Sequence, residues 1–362
     1  NVPIYGMALE VDTIANNIDL SQAGGSGNTR VYLSNALGFD RTYTGAISAA
    51  TDATIRLASA ANNLILGTAS QLGGAASTNN IIVGVEQANA LNFAGINITH
   101  GNGGTVSVRA DNSATLGTVT VNRGVTLNIN GAVTTPIGTG VVTVLGGTVS
   151  SDSTTAAQFG NTDFRLYGGS TLLLDNSAVT VANTDRRLLN TTNIDLTSST
   201  LRLIGDGATL GATSSQTVNS IDYQGGSTIS LDNDIITQAT RLTTLTTDTL
   251  NRVGLGTLNL RNISNIAATF GTAAGTQKLI ISGTAPTVTN GMIGANIALW
   301  GGTTANDAST PLFVTYDATH GIQAATTTAI TTPAALTAAT TSTIGSISSV
   351  AIAVAGSPSL QA

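Results

Sequence analysis

The 362-residue chain has no cysteine, one lysine (Lys278), two glutamates (Glu10 and Glu86) and one tryptophan (Trp300). Without cysteine there is no disulfide framework, a composition compatible with an exported bacterial protein. Charged residues are 9% and aromatic residues 4% of the chain, well below the usual charged content of about a quarter. Lys plus Arg number 13 against 19 Asp plus Glu, for a net charge of -6. No basic stripe is available to neutralise phosphates, which argues against nucleic-acid binding, and no polybasic patch faces an anionic membrane. No run approaches the roughly 18 apolar residues of a spanning helix. The chain opens at Asn1 with neither Met nor a signal peptide, as a mature or processed segment would.

What the chain does have is glycine, threonine, asparagine and short apolar runs, 41% hydrophobic in all. That hydrophobicity is too high for disorder. Four stretches share one layout: Gly168-Gly169-Ser170-Thr171-Leu172-Leu173-Leu174, Ser198-Ser199-Thr200-Leu201-Arg202-Leu203, Gly225-Gly226-Ser227-Thr228-Ile229-Ser230-Leu231 and Gly256-Thr257-Leu258-Asn259-Leu260. Their threonines step by 29, 28 and 29 residues, and Gly146-Gly147-Thr148-Val149-Ser150 is a degenerate earlier copy. A period in this range is the mark of a solenoid. The alternation after each threonine is that of a strand with one buried face, and the small residues before it suit a tight corner needing unusual backbone angles.

A second short strand precedes each corner, as in Phe164-Arg165-Leu166-Tyr167 and Ile221-Asp222-Tyr223. A coil of about 28 residues, the length in the clearest region, has room for three strands and three corners, and if most of the chain coils this way roughly 13 coils stacked about 4.8 Å apart give a rod of about 60 Å. The expected fold is therefore all-β, a right-handed parallel β-helix, since crossovers are right-handed. Residues 1–60 read as an N-terminal capping or variant region and 61–322 as the repeat body. Residues 323–362 form an Ala/Thr-rich segment ending in Val350-Ala351-Ile352-Ala353-Val354. Two readings of that tail stay open: a flexible low-complexity linker, or an assembly strand in which Val350, Ile352 and Val354 pair with a neighbouring molecule.

The Gly-Gly-Ser-Thr-Leu-x-Leu-Asp-Asn unit resembles that of passenger-like bacterial surface proteins with autotransporter-associated β-strand repeats. Arg41-Thr42-Tyr43-Thr44-Gly45-Ala46-Ile47-Ser48 is similar to the segment that opens a unit in that group, and Phe313-Val314-Thr315-Tyr316-Asp317-Ala318-Thr319-His320-Gly321-Ile322 to the segment that closes one. The resemblance spans about residues 41 to 322 and implies an extracellular β-helix with a structural or adhesive role. The chain departs from the group in lacking the amphipathic strands of a translocator barrel.

The sequence offers few candidates for chemistry. His100 and His320 sit in turn contexts with no second histidine at ligand spacing, so neither a zinc site nor imidazole catalysis is expected. His100-Gly101-Asn102-Gly103-Gly104 lacks the Lys-Ser/Thr of a phosphate loop, and no calcium-binding nonapeptide follows the glycine clusters. Since β-helices also host polysaccharide lyases and hydrolases, Asp232 with Asp234, and Asp185 beside Arg186 and Arg187, are the local carboxylate candidates. Trp300 fits either a packed solenoid end or a sugar-stacking platform. Asn97, Asn190 and Asn262 match the glycan acceptor pattern. No cofactor and no metal ligand set is expected. The leading expectation is a secreted, non-enzymatic structural protein, homo-oligomeric or polymeric, with a glycan-binding adhesin and a polysaccharide-degrading enzyme as the alternatives.

Overall fold

The computed structural model describes residues 4–22, 30–35, 39–50, 52–73, 77–86, 90–93, 96–99, 103–113, 115–131, 133–152, 158–177, 183–184, 187–205, 213–233, 242–261, 270–271, 277–289, 291–300 and 311–325. Two long sheets carry the fold. Eleven strands follow one another in the first: Ile4–Leu9, Arg30–Asn35, Thr54–Ala58, Asn80–Val83, Val119–Val121, Val142–Leu145, Asp163–Tyr167, Asn193–Thr197, Thr213–Gln224, Leu242–Arg252 and Gln277–Ile281. The second runs Thr13–Ile14, Arg41–Tyr43, Asn63–Leu66, Thr105–Val108, Thr126–Ile129, Thr148–Ser151, Thr171–Asp175, Thr200–Gly205, Gly226–Asn233, Thr257–Arg261 and Ile297–Trp300. All these pairings are parallel, and the chain lays one strand in each sheet per turn, which makes a β-solenoid. The pairing of Thr54–Ala58 with Asn80–Val83 crosses residue 60 without a break.

The coil is not uniform along the chain. The expected third ladder is present in part of the stack: Ile18–Asp19 pairs with Ile47–Ser48 near the N-terminal end, and later Asn183–Thr184 pairs with Ser214 and Ser215, and 213–218 with 242–247, beside the separate pairing of Asn193–Thr197 with 220–224; between Thr105 and Asp175 two ladders are seen among the described residues. Eleven layers give a rod of about 50 Å. The coil length also varies, because Thr105, Thr126, Thr148, Thr171, Thr200 and Thr228 stack directly on one another. Their steps are 21, 22, 23, 29 and 28 residues, so a coil near 28 holds in the clear repeats, as expected there, and again in the first coil, where Thr13 stacks on Thr42.

Side-chain amides add ties along the same side of the coil. Gln71 donates to the carbonyls of Tyr43 (2.8 Å) and Gly45 (3.0 Å), and Asn112 donates to Pro136 O (2.9 Å) while accepting from Leu72 N (3.0 Å). Gln216 accepts from the backbone N–H groups of Arg187 and Leu188. Buried backbone polar groups must find partners, and here an amide from the neighbouring coil supplies them beside or in place of ladder bonds. Leu72, Ile137, Phe159 and Leu188 close the core on that side.

The Gly-Gly-Ser-Thr signature has one physical job per position. Gly146, Gly168, Gly225 and Gly254 take φ values of 79°, 61°, 65° and 60°, the left-handed region open to glycine. Ser170 and Ser227 point inward and are buried; Ser227 donates to Leu196 O in the preceding coil (3.0 Å) and shares Gln224 O (2.8 Å). The threonine faces outward, half-exposed, and the next residue enters the core: Leu172, Leu201, Ile229 and Leu260 form one inward column. Each such side chain removed from water is worth about 1.5–3 kcal/mol.

The fourth copy is displaced from its sequence register. Thr228 stands beside Asn259, and Thr257 beside Gly226. Tyr223 still pairs with Arg252 on the first sheet, so the later corner is two residues longer. The surplus loops outward and leaves Leu255 90% exposed. A shift of two preserves the inward set, because side chains alternate with period 2, and Leu258 and Leu260 remain fully buried.

The segment resembling a unit closure caps the rod. Leu312–Asp317 pairs antiparallel with Ile297–Trp300 and with Gly321–Ala324. The hairpin seals the core with Val314 and Ile322, both fully buried, and the Tyr316 hydroxyl donates to Ile281 O (2.8 Å) and accepts from Ile281 N (3.1 Å). Such a cap blocks edge-to-edge pairing at that end. The opening segment is equally structural: buried Tyr43 donates its hydroxyl to Asn16 O (2.7 Å), and Arg41 pairs with Asp12 (2.8 Å).

Candidate functional site

The strand that carries Asp232 runs parallel to the one that carries Arg202, and both side chains lie on the outer side of the second sheet. Asp232 is 2% exposed; it accepts the Nε–H of Arg202 at 2.7 Å and the Ser230 hydroxyl at 3.1 Å. Its sequence partner Asp234 lies outside the described residues, as do Asp185 and Arg186. Arg187 is described and fully buried. Its guanidinium reaches Asn176 Oδ1 (2.7 Å), the Ser151 hydroxyl (3.1 Å) and Asp175 O (2.6 Å), tying three segments together. The sequence candidates for carboxylate chemistry are thus inter-coil ties wherever they are described.

Trp300 follows the same logic. Its indole N–H donates to Asn259 Oδ1 at 2.8 Å, and the Arg261 guanidinium lies 5.9 Å from its ring centroid, within cation–π range. Asn259 pairs with Ala298 and Arg261 with Trp300, so the contact joins adjacent outward residues of the last two parallel strands of this sheet. His320 sits in the cap turn with Nδ1 2.8 Å from Asp317 Oδ1. The backbone N–H groups of His320 and Thr319 converge on that carboxylate and hold Asp317 below its usual pKa. His100 and Asn262 lie outside the described residues, Asn97 falls in the Ile96–Thr99 strand, and Asn190 is exposed. Val350, Ile352 and Val354 also lie outside the described residues.

Sequence reading missed a charged network near the N-terminal end. Arg56 is buried and bonds Asp52 at 2.6 Å; Glu86 takes Arg30 at 2.9 Å and the Tyr32 hydroxyl at 3.0 Å, with Arg56 Nε at 3.6 Å. Burial works to raise the Asp52 pKa, yet the Arg56 hydrogen bond and charge overcome it and leave Asp52 below its usual value. Burial, then the Glu86 carboxylate, pushes the Tyr32 hydroxyl well above its usual range. The signal was faint: Tyr32 and Arg56 become neighbours only through strand register.

An open polar array lies on the outer face of the first sheet. Thr143, Arg165, Asp195, Asp222 and Asn251 occupy one position on five successive strands. Arg165 and Asp195 are 3.8 Å apart with side chains half exposed, and Asn251 donates to Asp222 at 2.9 Å. Burial and then the Asp222 carboxylate raise the Asp195 pKa against the opposing pull of Arg165. At the corner end of these strands Leu145 pairs with Tyr167, and Tyr167 with Thr197.

Among the described residues no group of three or more His, Cys, Asp or Glu is placed to hold a metal ion. No helix there is long and apolar enough to cross a membrane. Comparison with family models, with curated proteins and with solved structures finds no match to this chain.

Proposed function

We propose that this chain is an extracellular structural protein of a bacterial surface, a β-solenoid subunit that self-assembles into a filament, sheath or layer. One observation carries the reading: those sequence candidates for carboxylate chemistry that are described are engaged between coils. Asp232 is buried against Arg202 and Ser230, and Arg187 is sunk among Ser151, Asn176 and Asp175. Groups held in this way strengthen the stack and are withdrawn from a substrate. The cap at Leu312–Ala324 favours lateral contacts over end-to-end pairing at that end. Sedimentation velocity over a wide concentration range tests assembly: species larger than the monomer that grow with concentration support it, and a monomer at every concentration refutes it.

The outer face of the first sheet favours a second reading, an adhesin that binds glycans. Arg165, Asp195, Asp222 and Asn251 present charged and amide groups along a flat ladder, with the Tyr167 ring at its edge. An aromatic surface beside convergent polar groups suits a sugar strand. Silence on a broad glycan array would remove this reading.

A further inference from the structure

One corner of the rod is apolar where its surroundings are polar. Leu145 (41% exposed), Tyr167 (38%), Val253 (42%) and Leu255 (90%) all lie at the turn from the first sheet to the second. Leu145 pairs with Tyr167, Tyr167 with Thr197 and Thr197 with Gln224; Val253 continues the column through its N–H bond to Tyr223 O. The stripe therefore spans five coils, about 19 Å at the inter-strand spacing. Its two ends are apolar and its middle, Thr197 and Gln224, is polar.

That distribution is self-complementary. A two-fold axis through Thr197 brings Leu145 of one molecule onto Val253 and Leu255 of a second, and Tyr167 onto Gln224, which is the isologous pattern of a cyclic dimer. The neighbouring polar row obeys the same operation with opposite charges, because Arg165 and Asp222 sit on either side of Asp195. Arg165 of each molecule then faces Asp222 of the other. One like-charge meeting results, Asp195 with its counterpart at the axis. We propose that this corner is a lateral docking surface for a second copy of the chain, aligned antiparallel.

The inference rests on the self-assembly reading and specifies one of its contacts; a two-fold contact closes on a dimer, so a filament, sheath or layer uses a further contact beside it. Paired apolar ends remove exposed hydrophobic surface from water, while the small width of the corner sets the interface at the low end of specific contacts. Association is accordingly weak and concentration-dependent.

Because the chain has no cysteine, single thiols report the geometry directly. Leu145→Cys and Leu255→Cys variants are prepared separately and mixed with a short bismaleimide cross-linker. The proposal predicts that 145-to-255 cross-links dominate over 145-to-145 and 255-to-255. It also predicts that Leu255→Asp with Val253→Asp weakens association at least about tenfold, with an unchanged circular dichroism spectrum, since both side chains face solvent. Predominant like-with-like cross-links, or unweakened association in the double variant, overturn the docking surface while leaving self-assembly standing. A protein that stays monomeric at every concentration overturns both.

Discussion

Asp232 accepts the Nε–H of Arg202 at 2.7 Å across neighbouring coils, with its carboxylate almost wholly buried and Arg202 about one-third exposed. Replacing Asp232 with Ala removes the acceptor of a charge-assisted bond and is expected to cost about 1–3 kcal/mol. Urea unfolding of D232A against the parent measures it. A loss below about 0.5 kcal/mol would be the size of an ordinary surface substitution and would contradict a structural role for the pair.

The corner column makes a signed prediction about backbone strain. Ser198 occupies the left-handed region at φ 51° where the aligned positions carry glycine. Ser198→Gly is expected to be neutral to stabilising by up to about 1 kcal/mol, the relieved strain offset by added freedom in the unfolded chain. Gly225→Ala works in the opposite sense: φ is 65° and the new Cβ runs into the Ser198 hydroxyl. It is expected to destabilise by about 1–3 kcal/mol. Equal effects of the two substitutions in thermal melts would contradict this reading of the corner.

Two aspartates titrate in opposite directions. Asp195 is raised from 3.8 by burial and by Asp222, so its stabilising contribution is present at low pH and is lost as pH rises through its folded pKa. Asp52 is lowered by Arg56, so its contribution is present above 3.8 and is lost as pH falls through its folded value. Carboxylate NMR should give midpoints above 3.8 for Asp195 and below it for Asp52, with Asp222→Asn moving the Asp195 midpoint down. The reverse order would contradict the placement of these side chains.

The terminal hairpin holds the last strand of the first sheet through Tyr316. Tyr316→Phe deletes two hydrogen bonds to Ile281 and is expected to cost about 1–2 kcal/mol. The loss should be local. Amide exchange should quicken at 279–281 and remain unchanged at Leu201 and Leu203, in keeping with nearest-neighbour coupling in a repeat stack. Uniform acceleration along the chain would contradict a cap acting at one end.

The parallel fold was legible because its signals are local. Gly168-Gly169-Ser170-Thr171 states in four residues the corner, the inward hydroxyl and the outward threonine, and alternation supplies the core. Register was not legible between Thr228 and Thr257, because a shift of two leaves every inward residue inward and both alignments satisfy the pattern. The amide ties were missed because Gln71, Asn112 and Gln216 act through single amides on carbonyls and N–H groups of neighbouring coils, and isolated amides carry no periodic signal. The same reason hid Arg56 with Glu86. Asp232 with Asp234 is a candidate from proximity in sequence alone, and Asp234 lies outside the described residues; Asp232 itself bonds Ser230 and Arg202, the latter thirty residues away and invisible to sequence proximity.

Electron microscopy of the protein at neutral pH tests the central claim most directly. The account predicts ordered filaments, sheets or layers built from rods about 50 Å long, with the coil spacing of about 4.8 Å running along each rod. Isolated rods at every concentration would contradict assembly as the function of this chain.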